Sequence, residues 1–157
     1  MSVHKSVFIA FNIIVENNKL LMIQESKREC YKSWYVPAGK IEVGETILEG
    51  AIREAKEESG LIIEPEEIFH VEHIPRSHIE WIGFCVTGKV IGGKLKTKKE
   101  KDEHSIKAEW VDLDKIKEKK LRATDFLHYL DILLKKRKKE EKEEKEKEKE
   151  KLNTNQI

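Results

Sequence analysis

Apolar and polar positions along the chain change period several times, and each change marks an element. Val7–Val15 is an almost unbroken apolar run rich in Val, Ile and Phe, which predicts a fully buried strand. Glu16-Asn17-Asn18-Lys19 has turn chemistry and Leu20–Ile23 is apolar again, so the two runs predict a hairpin. Ser26–Ser33 is polar and predicts a loop, and Trp34-Tyr35-Val36 predicts a short strand stopped by Pro37, Ala38 and Gly39. Ile47, Leu48, Ala51, Ile52 and Ala55 then recur at helical spacing. Thr46 is the expected N-cap, Glu49 completes a capping box, and Gly60 stands where a left-handed residue ends a helix. Leu61–Ile63, Ile68–His73, Trp81–Ile91 and Ala108–Val111 return to strand patterns, and Leu113–Lys117 predicts a helical turn. Thr124–Leu134 places Phe126, Leu127, Leu130, Leu133 and Leu134 on one face of a second helix. Strands, a helix, more strands and a final helix, with no regular βαβ repeat, predict an α+β fold with a mixed sheet.

Composition changes this picture at one end. Residues 135–151 are all charged, ten Lys/Arg and seven Asp/Glu, so of the chain's 31 basic and 30 acidic residues 21 and 23 lie elsewhere. The body is near neutral and does not call for a nucleic-acid partner. We expect one domain over residues 1–134 and a charged low-complexity tail over 135–157. From Glu144 Lys and Glu alternate, which sets like charges four residues apart. The second helix is therefore expected to run a turn or two into the tail, with disorder beyond Glu143. Val7–Phe11 is too short an apolar run to span a membrane. Lys5 followed by Val7–Val15 has the outline of a signal peptide, but Asn12 interrupts it and Glu16-Asn17-Asn18-Lys19 replaces a cleavage site. Two cysteines, Cys30 and Cys85, make no disulfide framework and fit a reducing compartment. A cytoplasmic location is expected, with a nuclear one as the alternative because Lys135–Lys139 has the form of an import patch.

Candidate chemistry concentrates in Gly39–Leu61, GKIEVGETILEGAIREAKEESGL. Glu54, Glu57 and Glu58 stand at i, i+3 and i+4 and share one helix face. Three carboxylates there repel one another unless a cation sits among them, and an oxygen-only donor set suits Mg²⁺ or Mn²⁺. Arg53 is placed to orient a carboxylate. A solvated acidic face is the other meaning of the same pattern.

The whole segment resembles the signature of the Nudix hydrolases, G-x5-E-x7-R-E-U-x-E-E-x-G-U with U a bulky aliphatic residue. Gly39, Glu45, Arg53, Glu54, Glu57, Glu58, Gly60 and Leu61 match it, and Ala55 is smaller than the usual aliphatic residue. The resemblance implies a Nudix fold, a mixed β-sheet sandwiched between α-helices, that hydrolyses a diphosphate linked to another moiety. It implies Glu54, Glu57 and Glu58 as ligands of Mg²⁺, or alternatively Mn²⁺, with a glutamate, Glu54 or Glu57, as the base. It further implies the Ala38 carbonyl as a ligand, Arg53 orienting the glutamates, and Gly39, Glu45 and Gly60 bracing the loop. A carboxylate from a later loop often joins such a site; Asp102 and Glu103 are the candidates, Glu103 the preferred one. Leu20–Gly39, Gly92–Thr97 and Leu121–His128 look like the 8-oxo-dGDP phosphatase branch, so that the resemblance covers Val7 to Leu134. This implies 8-oxo-dGDP or 8-oxo-GDP as substrate, with monophosphate and phosphate as products.

A purine pocket needs aromatic faces, and Phe8, Phe11, Trp34, Trp81 and Phe84 are available. Other substrates for the same chemistry are ADP-ribose, dinucleoside polyphosphates and nucleoside triphosphates. Two other classes are a non-catalytic Nudix module that binds a nucleotide or protein, and a polyanion-binding protein. His70, His73 and His78 suggest zinc, but residues three apart on a strand face opposite ways, so structural or surface roles are expected. Lys94, Lys96, Lys98, Lys99 and Lys101 line either a phosphate entrance or a solvated hairpin edge.

Overall fold

Burial on both faces explains why the strands read as unbroken apolar runs. The computed structural model describes residues 4–156. Met1–Val3, which open the expected domain, and Ile157, which closes the expected tail, lie outside the described residues. Along the chain run β1 (Lys5–Asn12), β2 (Val15–Glu16), β3 (Lys19–Gln24), β4 (Trp34–Tyr35), β5 (Ala38–Lys40), α1 (Ile47–Ser59), β6 (Leu61–Ile74), β7 (Ile79–Gly93), β8 (Lys107–Asp112) and α2 (Asp125–Thr154). One sheet has the order β5-β1-β7-β6 and is mixed, since β1 runs parallel to β7 and antiparallel to β5. The other centres on β3, which pairs with β8 along its length and with β2 and β4 at its two ends.

Alternate residues of these strands serve opposite cores. Phe11, Ile13, Val15, Leu20 and Met22 pack beneath Phe126, Tyr129, Leu130 and Leu133 of α2. Ile14, Leu21 and Ile23 face the other way, onto Ala55 of α1 with Leu61, Ile63 and Ala108, while Ala10 and Val86 meet Ala51. A sheet covered by helices on both faces has no polar side to alternate with. The architecture is α+β, as expected.

Several local expectations are corrected. Val7–Val15 is not one buried strand: β1 ends at Asn12, β2 begins at Val15, and Phe8 is 44% exposed because it belongs to neither core. Asn17 and Asn18 form the two-residue hairpin turn with φ of 50° and 60°, a left-handed pair that asparagine tolerates. The strands expected at Leu61–Ile63 and Ile68–His73 are one strand, β6, because Pro65 sits on the outer edge of the sheet and register shifts absorb the irregularity. The helical turn expected at Leu113–Lys117 is a 3₁₀ turn at Ile116–Glu118. Beyond Glu143, where disorder was expected, α2 continues to Thr154. Its first turns are packed, which removes the nucleation cost, and its later turns are built from strong helix formers without Gly or Pro. Lys136 pairs with Glu67, and Arg137 donates to the Val15 carbonyl at 3.1 Å, tying the start of the tail to the domain. Among the described residues no helix is long and apolar enough to cross a membrane.

Candidate active site

Helix α1 is fixed at both ends by the residues that delimit it in sequence. The Glu49 amide donates to Thr46 Oγ1 at 3.1 Å and the Thr46 amide to the Glu49 carboxylate at 3.3 Å. Gly60 ends the helix at φ 81°, where a side chain would also run into the Lys94 carbonyl. Ahead of the helix, Glu45 and Arg53 form a forked ion pair: Arg53 Nε donates to Oε2 at 3.0 Å and Nη2 to Oε1 at 2.7 Å. The Glu42 amide donates to Glu45 Oε1 and Arg53 Nη2 to the Lys40 carbonyl, so this one pair fixes the loop between β5 and α1.

Arg53 Nη1 also donates to Glu54 Oε1 at 2.7 Å and to Glu57 Oε2 at 3.2 Å. Glu58 is buried and accepts from the Ala38 amide at 2.8 Å. Glu54 lies against Gly39, where an added Cβ would come within 2.5 Å of Glu54 Oε2, closer than the 3.0 Å that real Cβ atoms respect. Burial raises the Glu54 carboxyl, and the Glu57 charge adds to this against the pull of Arg53. Burial pushes Glu58 well above the usual carboxylate range, with the Glu54 and Glu25 charges adding and the Ala38 amide opposing. Among the described residues no three His, Cys, Asp or Glu side chains already surround one point as metal ligands. Arg53 instead supplies positive charge to Glu54 and Glu57. The donor set nevertheless suits a hard cation. It is all oxygen, partly buried, mutually repelling, and seated in a space that glycine keeps free.

These groups line one end of a cavity of about 840 Å³. Lys27, Lys40, Arg76 and Arg122 line it as cations, and Phe11, Tyr35, Ile74 and Trp81 as apolar wall, with Asp125 at the start of α2. Gly83 lets the Phe11 ring lie across β7, since a Cβ there would stand 2.6 Å from its Cε2. Of the aromatics singled out from sequence, Trp81 and Phe11 line the cavity. Trp34, Phe8 and Phe84 do not. Trp34 is 6% exposed and covered by the Lys119 ammonium, 4.0 Å from its ring centroid, with Lys107 nearby. Phe8 and Phe84 meet edge to face on the part of the sheet away from the cavity wall.

Sequence reasoning missed Arg122 and Asp125. Their segment is delivered by β4: the Trp34 amide donates to the Lys120 carbonyl at 2.8 Å and the Arg122 amide to the Trp34 carbonyl at 2.9 Å. Arg122 Nη1 pairs with buried Glu25 at 2.8 Å, and the Tyr35 hydroxyl donates to Asp125 Oδ1 at 2.7 Å. Their segment, Leu121–His128, stood out in the sequence, but nothing local singled out these two residues within it.

Of the five lysines of the later stretch, Lys94, Lys98, Lys99 and Lys101 are exposed, and Lys96 alone departs from both expected forms. Lys96 is not part of a solvated edge; it is 7% exposed, with Nζ 2.6 Å from Asp102 Oδ1 and 3.1 Å from the Glu57 carbonyl. Asp102 is thereby turned away from the acidic face, whereas Glu103 and His104 line the cavity. His104 Nδ1 is 3.6 Å from Glu57 Oε2. His70 lies beside Glu72 and the rings of His128 and Tyr129, in a structural setting.

A family model described as NUDIX domain matches residues 5–146. The 8-oxo-dGDP phosphatase NUDT18 of Homo sapiens is 44% identical over 122 residues, 78% of this chain and 36% of that protein. The protein of the same description from Danio rerio is 39% identical over 140 residues, 87% of this chain and 41% of that protein. The chain thus spans well under half the length of the curated relatives it matches. The structure of a NUDIX hydrolase from Nitrosomonas europaea superposes with a TM-score of 0.70 at 23% identity, covering 82% of this chain and 88% of that one, a likeness of fold.

Proposed function

The chain belongs to the Nudix family, and we propose that it hydrolyses the diphosphate of oxidised purine nucleoside diphosphates, turning 8-oxo-dGDP or 8-oxo-GDP and water into the monophosphate and phosphate. The observation that carries this reading is a single cavity joining the acidic face of α1 to Trp81, Phe11 and Asp125. Similarity to the NUDT18 proteins supports the choice of base.

Glu54, Glu57 and Glu58, with the Ala38 carbonyl and Glu103 as further donors, would hold Mg²⁺ or Mn²⁺. When bound, the cation supplies charge neutralisation at the diphosphate oxygens. The remaining work falls to the chain. Arg53 fixes the carboxylates of Glu54 and Glu57. Glu57 has the most open side chain of the three, 31% exposed against 13% for Glu54, and is the group we assign to accept the proton of the attacking water. Lys27, Lys40 and Arg76 hold the phosphate oxygens along the cavity. Trp81 and Phe11 supply the apolar wall for the base. Asp125 is an acceptor, and 8-oxoguanine carries an N–H donor at N7 where guanine carries an acceptor, a difference that such a carboxylate reads. A cytoplasmic location goes with this role.

The test is phosphate release with Mg²⁺ from equal concentrations of 8-oxo-dGDP, dGDP, 8-oxo-dGTP with pyrophosphatase and ADP-ribose with phosphatase. Clear preference for 8-oxo-dGDP over dGDP, lost in Glu57→Gln, is the expected result. Preference for ADP-ribose or the triphosphate overturns the substrate, and silence across the panel overturns the catalytic reading.

A further inference from the structure

The buried lysine of the later loop has no part in the proposed reaction, and its setting is informative. Lys94, Lys98, Lys99 and Lys101 are exposed, whereas Lys96 is enclosed. Enclosing an ammonium is costly, and an apolar side chain of similar length serves stability at least as well. What the ion pair supplies is location. Asp102 Oδ1, which receives Lys96, also accepts the His104 amide at 2.9 Å and the Ser105 amide at 3.2 Å. Lys96 Nζ reaches the Glu57 carbonyl, and Ser105 Oγ donates to the Glu58 carbonyl at 2.6 Å. The turn is therefore fastened at two points to the backbone of Glu57 and Glu58, two of the three residues whose carboxylates form the acidic face. Its tip carries His104 into the cavity beside Glu57.

We propose that Lys96 and Asp102 are positioning residues that dock the 102–105 turn onto the last turn of α1, and that His104, carried on that turn, contacts substrate by donating an N–H to a phosphate oxygen. A neutral imidazole keeps one N–H and a protonated one has two, so the donor is present throughout the assay range. The role of His104 rests on the diphosphate hydrolase reading; the docking of the turn does not.

The experiment uses the full chain in two arms. In the first, amide hydrogen exchange is followed in wild type, Lys96→Met and Asp102→Asn. Faster exchange at His104 and Ser105, with α1 still protected, is expected in both variants, and unchanged exchange overturns the docking role. In the second, steady-state kinetics are measured on the best diphosphate substrate. His104→Ala is expected to lower kcat/KM about 10- to 100-fold, the loss of one hydrogen bond to a charged group. His104→Asn, which retains an N–H donor, recovers part of this. Lys96→Met lowers kcat/KM about as much in the wild-type background and adds little in the His104→Ala background, while Lys96→Arg recovers part of the loss. Losses that multiply overturn the idea that the clamp acts through His104, and a fully active His104→Ala overturns the phosphate contact. Inactive wild type overturns the hydrolase reading and with it the role of His104, while the exchange arm still decides the clamp.

Discussion

Gly39→Ala separates the needs of the fold from the needs of the site. Gly39 lies in extended β5 and is not among the glycines with positive φ, so alanine imposes no backbone strain. The added Cβ falls inside the space of the Glu54 carboxylate, which must withdraw by roughly 1 Å to restore ordinary contact. A glutamate tip can do this at low cost, about 0.5–1.5 kcal/mol for a distorted rotamer. Weakening the 2.7 Å bond from Arg53 to Glu54 adds about 1 kcal/mol. The lower entropy of an unfolded alanine returns about 0.4–1 kcal/mol. The net is about 1 kcal/mol, a Tm shift of about 2–4 °C for a domain of this size. Displacing a proposed metal ligand by a similar distance is expected to cost about 100-fold in kcat/KM. The assay pairs thermal unfolding with steady-state phosphate release for wild type, Gly39→Ala, Glu54→Gln and the double variant. The double variant is expected to be no worse in turnover than Glu54→Gln alone, because the glycine acts by seating that side chain. A Gly39→Ala protein within about threefold of wild-type kcat/KM would refute the reasoning, and a collapse of Tm would show that the glycine serves folding first.

Three further outcomes are expected. Trp81→Ala should raise KM about tenfold with little change in kcat, since its ring lines the cavity, whereas Trp34→Ala should leave KM alone and cost about 3 kcal/mol in unfolding, since its ring is buried beneath Lys119. In metal-free buffer, stability should fall as pH rises above 4.5. Burial raises Glu58 well above 4.5 in the folded state, so the fold is favoured while the group is protonated and loses that advantage as pH climbs through the raised value. Glu58→Gln should flatten the slope, and an unchanged slope would assign it to other groups. Ending the chain after Lys138 should leave Tm and kcat/KM unchanged, while ending it before Lys135 removes the Lys136 and Arg137 anchors and should cost about 1–3 kcal/mol in denaturant unfolding.

The parts of this protein that could be read from sequence are those whose causes are local. Helix α1 carries its own start and stop signals in Thr46, Glu49 and Gly60, and the spacing of Glu54, Glu57 and Glu58 puts them on one face wherever the helix packs. The turn at Asn17 and Asn18 is equally self-contained. What sequence did not convey depends on neighbours distant in the chain. Trp34 and Trp81 are both aromatic residues in strand context, and only the packing of Lys119 against one and the cavity beside the other tells them apart. Lys96 sits in a basic stretch that looks solvated until Asp102 and the Glu57 carbonyl are seen to meet it. Pro65 looks like a strand break because nothing local says that its strand lies on the edge of the sheet.

The parallel pairing of β1 with β7 also sets the order in which the molecule can be made. Lys5 pairs with Ile79 and Asn12 with Val86, so β1 waits during synthesis for a partner that lies far along the chain from it. At about 5–20 residues per second that wait lasts roughly 4–15 s. In the interval β5 can cover only Ile9–Phe11, and a prematurely terminated product ending before Ile79 offers an unpaired apolar strand to any other chain it meets. The core beneath α2 closes later still, when Phe126 through Leu133 have left the ribosome. Rare codons between β1 and β7 would lengthen the exposed interval, whereas the same codons after Leu133 would not.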